Sequence, residues 1–258
     1  MNRSERHKKL VEIIKETTAI SVSDLSDKLC VSMMTIRRDL NSLEQQGVIK
    51  KIHGGAFFLK NDIDESDTVQ PSFQQRINEH GDYKNKIGKE AVKHINQGDV
   101  VFFDAGTTTL ALVSHIPPDL EFTAITPAII TAASLCNFKN VNVITIGGDI
   151  HHSSYSSVNY MAIEMIKKLN ASTAFISTKA LVSPIGTYEA VLPLVEVKRA
   201  IVEASEKTIL LADHSKFEMK SLCKSISIED IDLIITDEMA PADAVDELRN
   251  FTNVDIAV

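Results

Sequence analysis

Apolar residues recur at helical spacing in three short blocks within the first sixty positions. Leu10, Val11, Ile13 and Ile14 line one face of a helix expected from about residue 4 to residue 17. Ser23 precedes a second block, Leu25 and Leu29, where its hydroxyl suits a helix cap. Ser32 precedes a third block, Ile36, Leu40 and Leu43, which forms one buried stripe. Only Cys30 and Val31 separate the second block from Ser32, and two short helices joined that tightly make a helix-turn-helix. Gly47 stops the third helix. Residues 48–53 then read as a strand and Gly54-Gly55 as a turn, giving a short basic hairpin, or wing.

Beyond an acidic, polar stretch at 60–72 that contains Pro71, the pattern changes. Short, nearly all-apolar runs at 100–103, 122–125, 141–146, 174–176, 209–211, 231–235 and 254–257 read as strands. Helical stretches are expected at about 83–96, through Leu110 and Leu112, and at 127–135, 160–169, 194–204 and 241–251. Strands apolar along their whole length, alternating with helices, indicate a mostly parallel sheet covered on both faces. The expected fold class is α/β: a winged helix-turn-helix at 1–58, a linker at 59–72, and a larger Rossmann-like domain at 73–258.

Composition sharpens this picture. The chain has 258 residues, 44% hydrophobic and 24% charged, which is ordinary for a folded globular protein. Residues 1–10 hold no apolar core of a leader, and no run is long enough to span a bilayer, so a cytoplasmic protein without membrane association is expected. Cys30, Cys136 and Cys223 are odd in number and widely spaced, which argues for buried reduced thiols over a zinc site or disulfides. The net charge of −8 conceals an asymmetry: residues 1–60 carry +4 and residues 61–258 carry −12. A basic end on an acidic body suits a tethered reader of nucleic acid.

Candidate chemistry falls on both parts. With Ile36, Leu40 and Leu43 turned inward, the third helix directs Met34, Arg38, Asn41 and Gln45 outward, flanked by Thr35 and Arg37. Arginine reads guanine bidentately in the major groove, while Ser32 and nearby amides suit phosphate. Lys50 and Lys51, with His53, would add contacts from the wing. In the body, Asp104-Ala105-Gly106-Thr107-Thr108-Thr109 follows one strand and opens a helix, a loop suited to an anion. Thr126, Gly147-Gly148 and Asp213-His214-Ser215-Lys216 end other strands, and Lys198 lies on a preceding helix. Ligands of such sheets bind at the carboxyl ends of the strands. Together these groups fit a phosphate plus sugar hydroxyls. His151-His152 lacks a third ligand and reads as exposed loop, so neither a metal nor a cofactor is expected.

The run 31–40, with Thr35-Ile36-Arg37-Arg38-Asp39-Leu40 at its centre, then Leu43-Glu44, Gly47 and His53-Gly54-Gly55-Ala56, resembles the DeoR family of bacterial regulators. The body resembles that family's C-terminal domain through Phe73, Arg76, Lys84, Gly98-Asp99, the Asp104–Thr109 loop, Gly147-Gly148, Glu196, Lys198-Arg199 and Asp213 to Phe217. The resemblance implies a fold similar to ribose-5-phosphate isomerase. It also implies an effector pocket lined by residues 104–109, Lys198 and Lys216. Thr126-Pro127, Thr173, the 149–158 stretch and Lys179-Ala180-Leu181 depart from the family pattern on the sugar-recognising side.

The favoured function is a transcriptional regulator, expected to repress a carbohydrate-utilisation operon. Its partners would be double-stranded operator DNA, a phosphorylated sugar-like effector and further copies of the chain, as a dimer or tetramer. Two other readings remain open: an isomerase-like enzyme, for which Glu189 and Glu196 are the carboxylates to watch, and a constitutive DNA binder with a vestigial pocket.

Overall fold

The computed structural model describes residues 6–7, 9–11, 13–14, 19–29, 31–45, 49–52, 55–58, 72–217 and 219–258. They fall into two compact units, Met1–Gln70 and Pro71–Val258.

In the first unit the described residues from 6 to 14 are helical. Strand β1 (Ala19–Ser21) leads into α1 (Val22–Leu29), and α2 spans Met33–Gln45. Leu10, Ile14, Val22, Leu25, Ile36, Leu40 and Leu43 close into one core, as the helical spacing requires. Ser23 lies inside α1 instead of capping it, because the helix already begins at Val22, directly after β1. Strands β2 (Ile49–Ile52) and β3 (Gly55–Phe58) form the antiparallel hairpin of the wing, and β1 pairs with β3 to make three strands. Gly47, His53 and Gly54 lie outside the described residues.

The second unit opens with α3 (Phe73–Asn78) and α4 (Gly81–Ala91). Ser72 and Gln75 form a reciprocal capping box at the start of α3, which fixes the chain's entry into this unit. A seven-stranded sheet follows, built from β4 (Val100–Phe103), β5 (Phe122–Thr126), β6 (Val141–Thr145), β9 (Thr173–Ser177), β12 (Thr208–Leu211), β14 (Leu233–Asp237) and β15 (Asn253–Ala257). Its spatial order is β15-β14-β12-β9-β4-β5-β6, and every pairing is parallel. Side chains alternate across it. Phe102, Ile176, Leu210 and Ile234 join one core with α7 (Asn159–Ile166), α8 (Leu192–Glu203) and α9 (Ala242–Leu248). Phe103, Phe175, Leu211 and Ile235 join the other, with α4, α5 (Thr107–Val113) and α6 (Ile129–Leu135). Covering both faces explains why these strands read as continuously apolar.

His152 lies in an exposed turn, but His151 belongs to a strand, and residues 149–158 are not a plain loop. They form the hairpin β7 (Asp149–His151) and β8 (Ser156–Val158), with Ser154, Ser156 and Ser157 buried. A second small sheet, β10 (Ala180–Val182), β11 (Gly186–Glu189) and β13 (Cys223–Ser227), was unmarked in the apolar pattern because β10 is only three residues long and β11 and β13 are largely polar. Helix α6 starts two residues after Pro127, since Ala128 is extended. Cys223 is buried but Cys136 is exposed, and Cys30 lies outside the described residues. Among the described residues no helix is long and apolar enough to cross a membrane.

Candidate functional site

The first unit presents the third predicted helix, α2, as its polar face. The hydroxyl of Ser32 accepts a hydrogen bond from the Thr35 amide at 3.2 Å and lies 2.9 Å from the Thr35 hydroxyl, so it caps α2. Met34 is 78% exposed, and Arg37, Arg38 and Asn41 are exposed beside it. Neither arginine has an ion pair among the described residues. Asp39, on the opposite side, is fully buried. Arg6 and His7 donate to its carboxylate, His7 Nε2 at 3.2 Å, which ties the opening helix to α2. Burial pushes this carboxyl up, but the hydrogen bonds from Arg6 and His7 outweigh it and hold it below its ordinary value. Lys50 and Lys51 belong to β2 of the wing, and His53 lies outside the described residues.

In the second unit the strand order runs outward in both directions from the β4–β9 pair. This is the switch point at which open parallel sheets form a crevice beyond their carboxyl ends. Asp104 directly follows β4 there and Ser177 ends β9. The Asp104 carboxylate accepts from the Ser177 amide at 3.0 Å and from its hydroxyl at 2.9 Å. Lys198, on α8, donates to the same carboxylate and to the Ser177 carbonyl, and its ammonium lies 3.3 Å from Glu189 on β11. All three charged groups are buried.

Burial raises both carboxyls, and only Asp104, with Lys198 and two Ser177 donors, falls below its ordinary value. Glu189 stays above its own, because burial dominates and the charge of Asp104 adds to it. Burial would lower the Lys198 ammonium, but Asp104 and Glu189 raise it above its usual value. Its ammonium is thus engaged with Asp104, the Ser177 carbonyl and Glu189.

The loop after β4 packs closely on this network. A Cβ on Gly106 would lie 2.0 Å from the Ser177 hydroxyl, which explains a glycine there. Thr108 and Thr109 are buried, Thr107 half-buried, and the Thr109 hydroxyl has no hydrogen-bond partner among the described residues. Thr126 donates to the Phe103 carbonyl at 2.7 Å and accepts from the Ala128 amide at 3.1 Å, locking the ends of β4 and β5. Gly148 has φ +152°, and a Cβ there would lie 2.7 Å from the Val158 carbonyl, so it makes room for the β7–β8 hairpin. Asp213 is fully buried and caps the turn His214–Lys216 through the Ser215 amide at 3.0 Å. Its Oδ2 has no hydrogen-bond partner among the described residues, and the nearest cation is Lys216 at 3.9 Å.

Glu196 is exposed and faces Arg199 at 3.6 Å, away from this network. Ser177 went unread in the sequence because its role depends on strand order. His151 is bonded to Ser154 at 2.8 Å. No group of three or more metal-ligating side chains occurs among the described residues.

Residues 6–62 match the DeoR-like helix-turn-helix domain, and residues 79–238 match the DeoR C terminal sensor domain. The chain belongs to the DeoR family. Similar relatives span nearly its whole length. The HTH-type transcriptional regulator GolR of Listeria innocua is 33% identical, covering 90% of each chain. GlpR of Haloferax volcanii is 32% identical over 96% of this chain and 94% of its own. The glycerol-3-phosphate regulon repressor of Escherichia coli is 26% identical over 97% of both. Ribose 5-phosphate isomerase A of Methanocaldococcus jannaschii superposes with a TM-score of 0.41 at 15% identity, over 54% of this chain and 55% of its own. This DeoR-family chain is therefore a DNA-binding transcriptional regulator with a sensor domain, and not an enzyme.

Proposed function

We propose that the protein represses a carbohydrate-utilisation operon and is released from its operator by a phosphorylated sugar or closely related metabolite. The reading is carried by the Asp104–Thr109 loop, which opens onto the sheet's switch point, and by two buried polar groups without hydrogen-bond partners among the described residues, the Thr109 hydroxyl and Asp213 Oδ2. The loop 104–109 would take the phosphate, with Thr126 and Gly148 shaping the floor, Lys198 holding Asp104, and Asp213 and Lys216 facing the polyol. A relative named for glycerol-3-phosphate supports a phosphorylated small molecule, and its designation as a repressor supports the sign of control.

DNA would be read by Met34, Thr35, Arg37, Arg38 and Asn41, with phosphate contacts from Ser32, Lys50, Lys51 and His53. The working boundaries are 1–58 for the DNA-binding part, 59–72 for the linker and 73–258 for the sensor. A dimer or tetramer would present two recognition helices to operator half-sites, and the effector would favour arrangements that fit them poorly.

The test is a gel shift of the full chain on DNA upstream of its own and neighbouring genes, with and without a panel of sugar phosphates. Release by one compound supports the reading. A shift that no compound alters makes the protein a constitutive binder and removes the sensor role.

A further inference from the structure

The crevice carries positive charge that the proposed function does not use. Lys179 stands two residues past the end of β9 and is half-buried. Its amide donates to the Tyr188 carbonyl at 3.2 Å, which anchors the backbone while leaving the ammonium without an ion pair among the described residues. Leu181 bridges to Phe217, bringing 179–181 alongside the Lys216 turn. From α3, Arg76 reaches the Ser153 carbonyl with Nη2 at 2.6 Å, while its Nε is buried without a hydrogen-bond partner among the described residues.

The surrounding carboxylates leave this charge poorly balanced. Glu189 is shared with Lys198, Asp213 gives one oxygen to Ser215, and the single charge of Glu79 is spread over Arg76, Lys84 and Lys179. Lys84 is occupied differently, since its ammonium donates to the Arg76 and Glu79 carbonyls and closes the end of α3. Burial and then the nearby charges of Lys216 and Arg76 outweigh Glu189 and Glu79 and hold the Lys179 ammonium below its ordinary value, a penalty that a bound anion would relieve.

We infer that Lys179, Lys216 and Arg76 bind a second negatively charged group, so that the effector is a polyol carrying an oxyanion at each end, either a bisphosphate or a phosphorylated sugar acid. This rests on the reading that the 104–109 loop takes the first phosphate. Asp213 Oδ2 lies beside Lys216 and accepts a hydroxyl of the same ligand. Lys179 is then a specificity-determining residue, because charge-assisted bonds to the second oxyanion separate ligands that share a carbon skeleton.

The experiment is calorimetric titration of the full-length protein with matched pairs: fructose 6-phosphate against fructose 1,6-bisphosphate, and glucose 6-phosphate against 6-phosphogluconate. The parent should bind a doubly charged member about ten-fold more tightly than its partner, as one bond to a charged group predicts. Lys179→Gln should bring that ratio close to one and leave affinity for the single phosphate unchanged, with an unaltered melting temperature showing that the variant folds. Equal affinities within each pair for the parent, with single phosphates bound, would overturn the second-anion site and leave the sensor reading standing. A preference that survives in Lys179→Gln overturns the role of Lys179. Failure of every probe to bind overturns both readings.

Discussion

Asp104 and Lys198, 94 positions apart in the chain, form a buried ion pair where the strand order of the sheet reverses. A pair buried this deeply is expensive to break from one side, because the remaining charge stays uncompensated. Lys198→Met should therefore destabilise the sensor unit by about 3–5 kcal/mol in chemical denaturation, and Asp104→Asn by less, because Lys198 keeps Glu189 at 3.3 Å. Losses below about 1 kcal/mol for both variants would mean that the network is solvated and does not organise the crevice.

Glu189 gives a pH dependence of definite sign. Burial holds its carboxyl above the ordinary value, so the folded chain keeps a proton that the unfolded chain releases. Stability from this group is thus present at low pH and lost as pH rises through the raised value. Glu189→Gln lacks that loss. The melting temperature of the variant relative to the parent should rise as the pH is raised from the acidic range to neutrality. A difference that stays flat or falls with pH would contradict this assignment.

Gly106 is held to its size by Ser177. Gly106→Ala should distort the 104–109 loop and abolish relief of DNA binding by the effector, while operator affinity without effector stays the same. Adding Ser177→Gly should restore part of the response by opening the space the methyl needs. A normal response in Gly106→Ala alone would show that the loop tolerates the displacement.

Arg38 is exposed on the recognition helix, so its replacement leaves the core untouched. Arg38→Ala should weaken specific operator binding by about 1–3 kcal/mol, with an unchanged circular dichroism spectrum. Unchanged affinity in fluorescence anisotropy would mean that another face of α2 meets the bases.

Asp39, one residue further on, should behave in the opposite manner. It is fully buried and holds Arg6 and His7, so Asp39→Ala acts on the fold. Specific and non-specific DNA binding should fall together, and limited proteolysis should cut residues 1–58 faster than in the parent. Selective loss of specific binding with normal protease resistance would instead place Asp39 at the DNA.

The two domain types and most elements were legible in the chain. Ile36, Leu40 and Leu43 set the inner face of α2, and that choice alone turns Met34 and Arg38 outward. The strand at 100–103 and the loop from Asp104 were equally plain, since an all-apolar run ending in Asp-Ala-Gly-Thr is a local signal. The hairpin at 149–158 was not, because its burial comes from serines bonded to one another and to His151. Polar residues of this kind look like loop until their partners are known.

Local periodicity and punctuation are enough to determine a helix-turn-helix, a parallel α/β body and the place where a ligand loop begins, since each depends on neighbours in the chain. Which charges meet at that loop depends on strand order, and no short-range pattern encodes it. Only the folded sheet sets β4 beside β9. That adjacency joins Asp104 to Ser177 and directs Lys198 to hold carboxylates. With Lys198 engaged, Lys179, Lys216 and Arg76 are the cations we propose for the ligand's second anion.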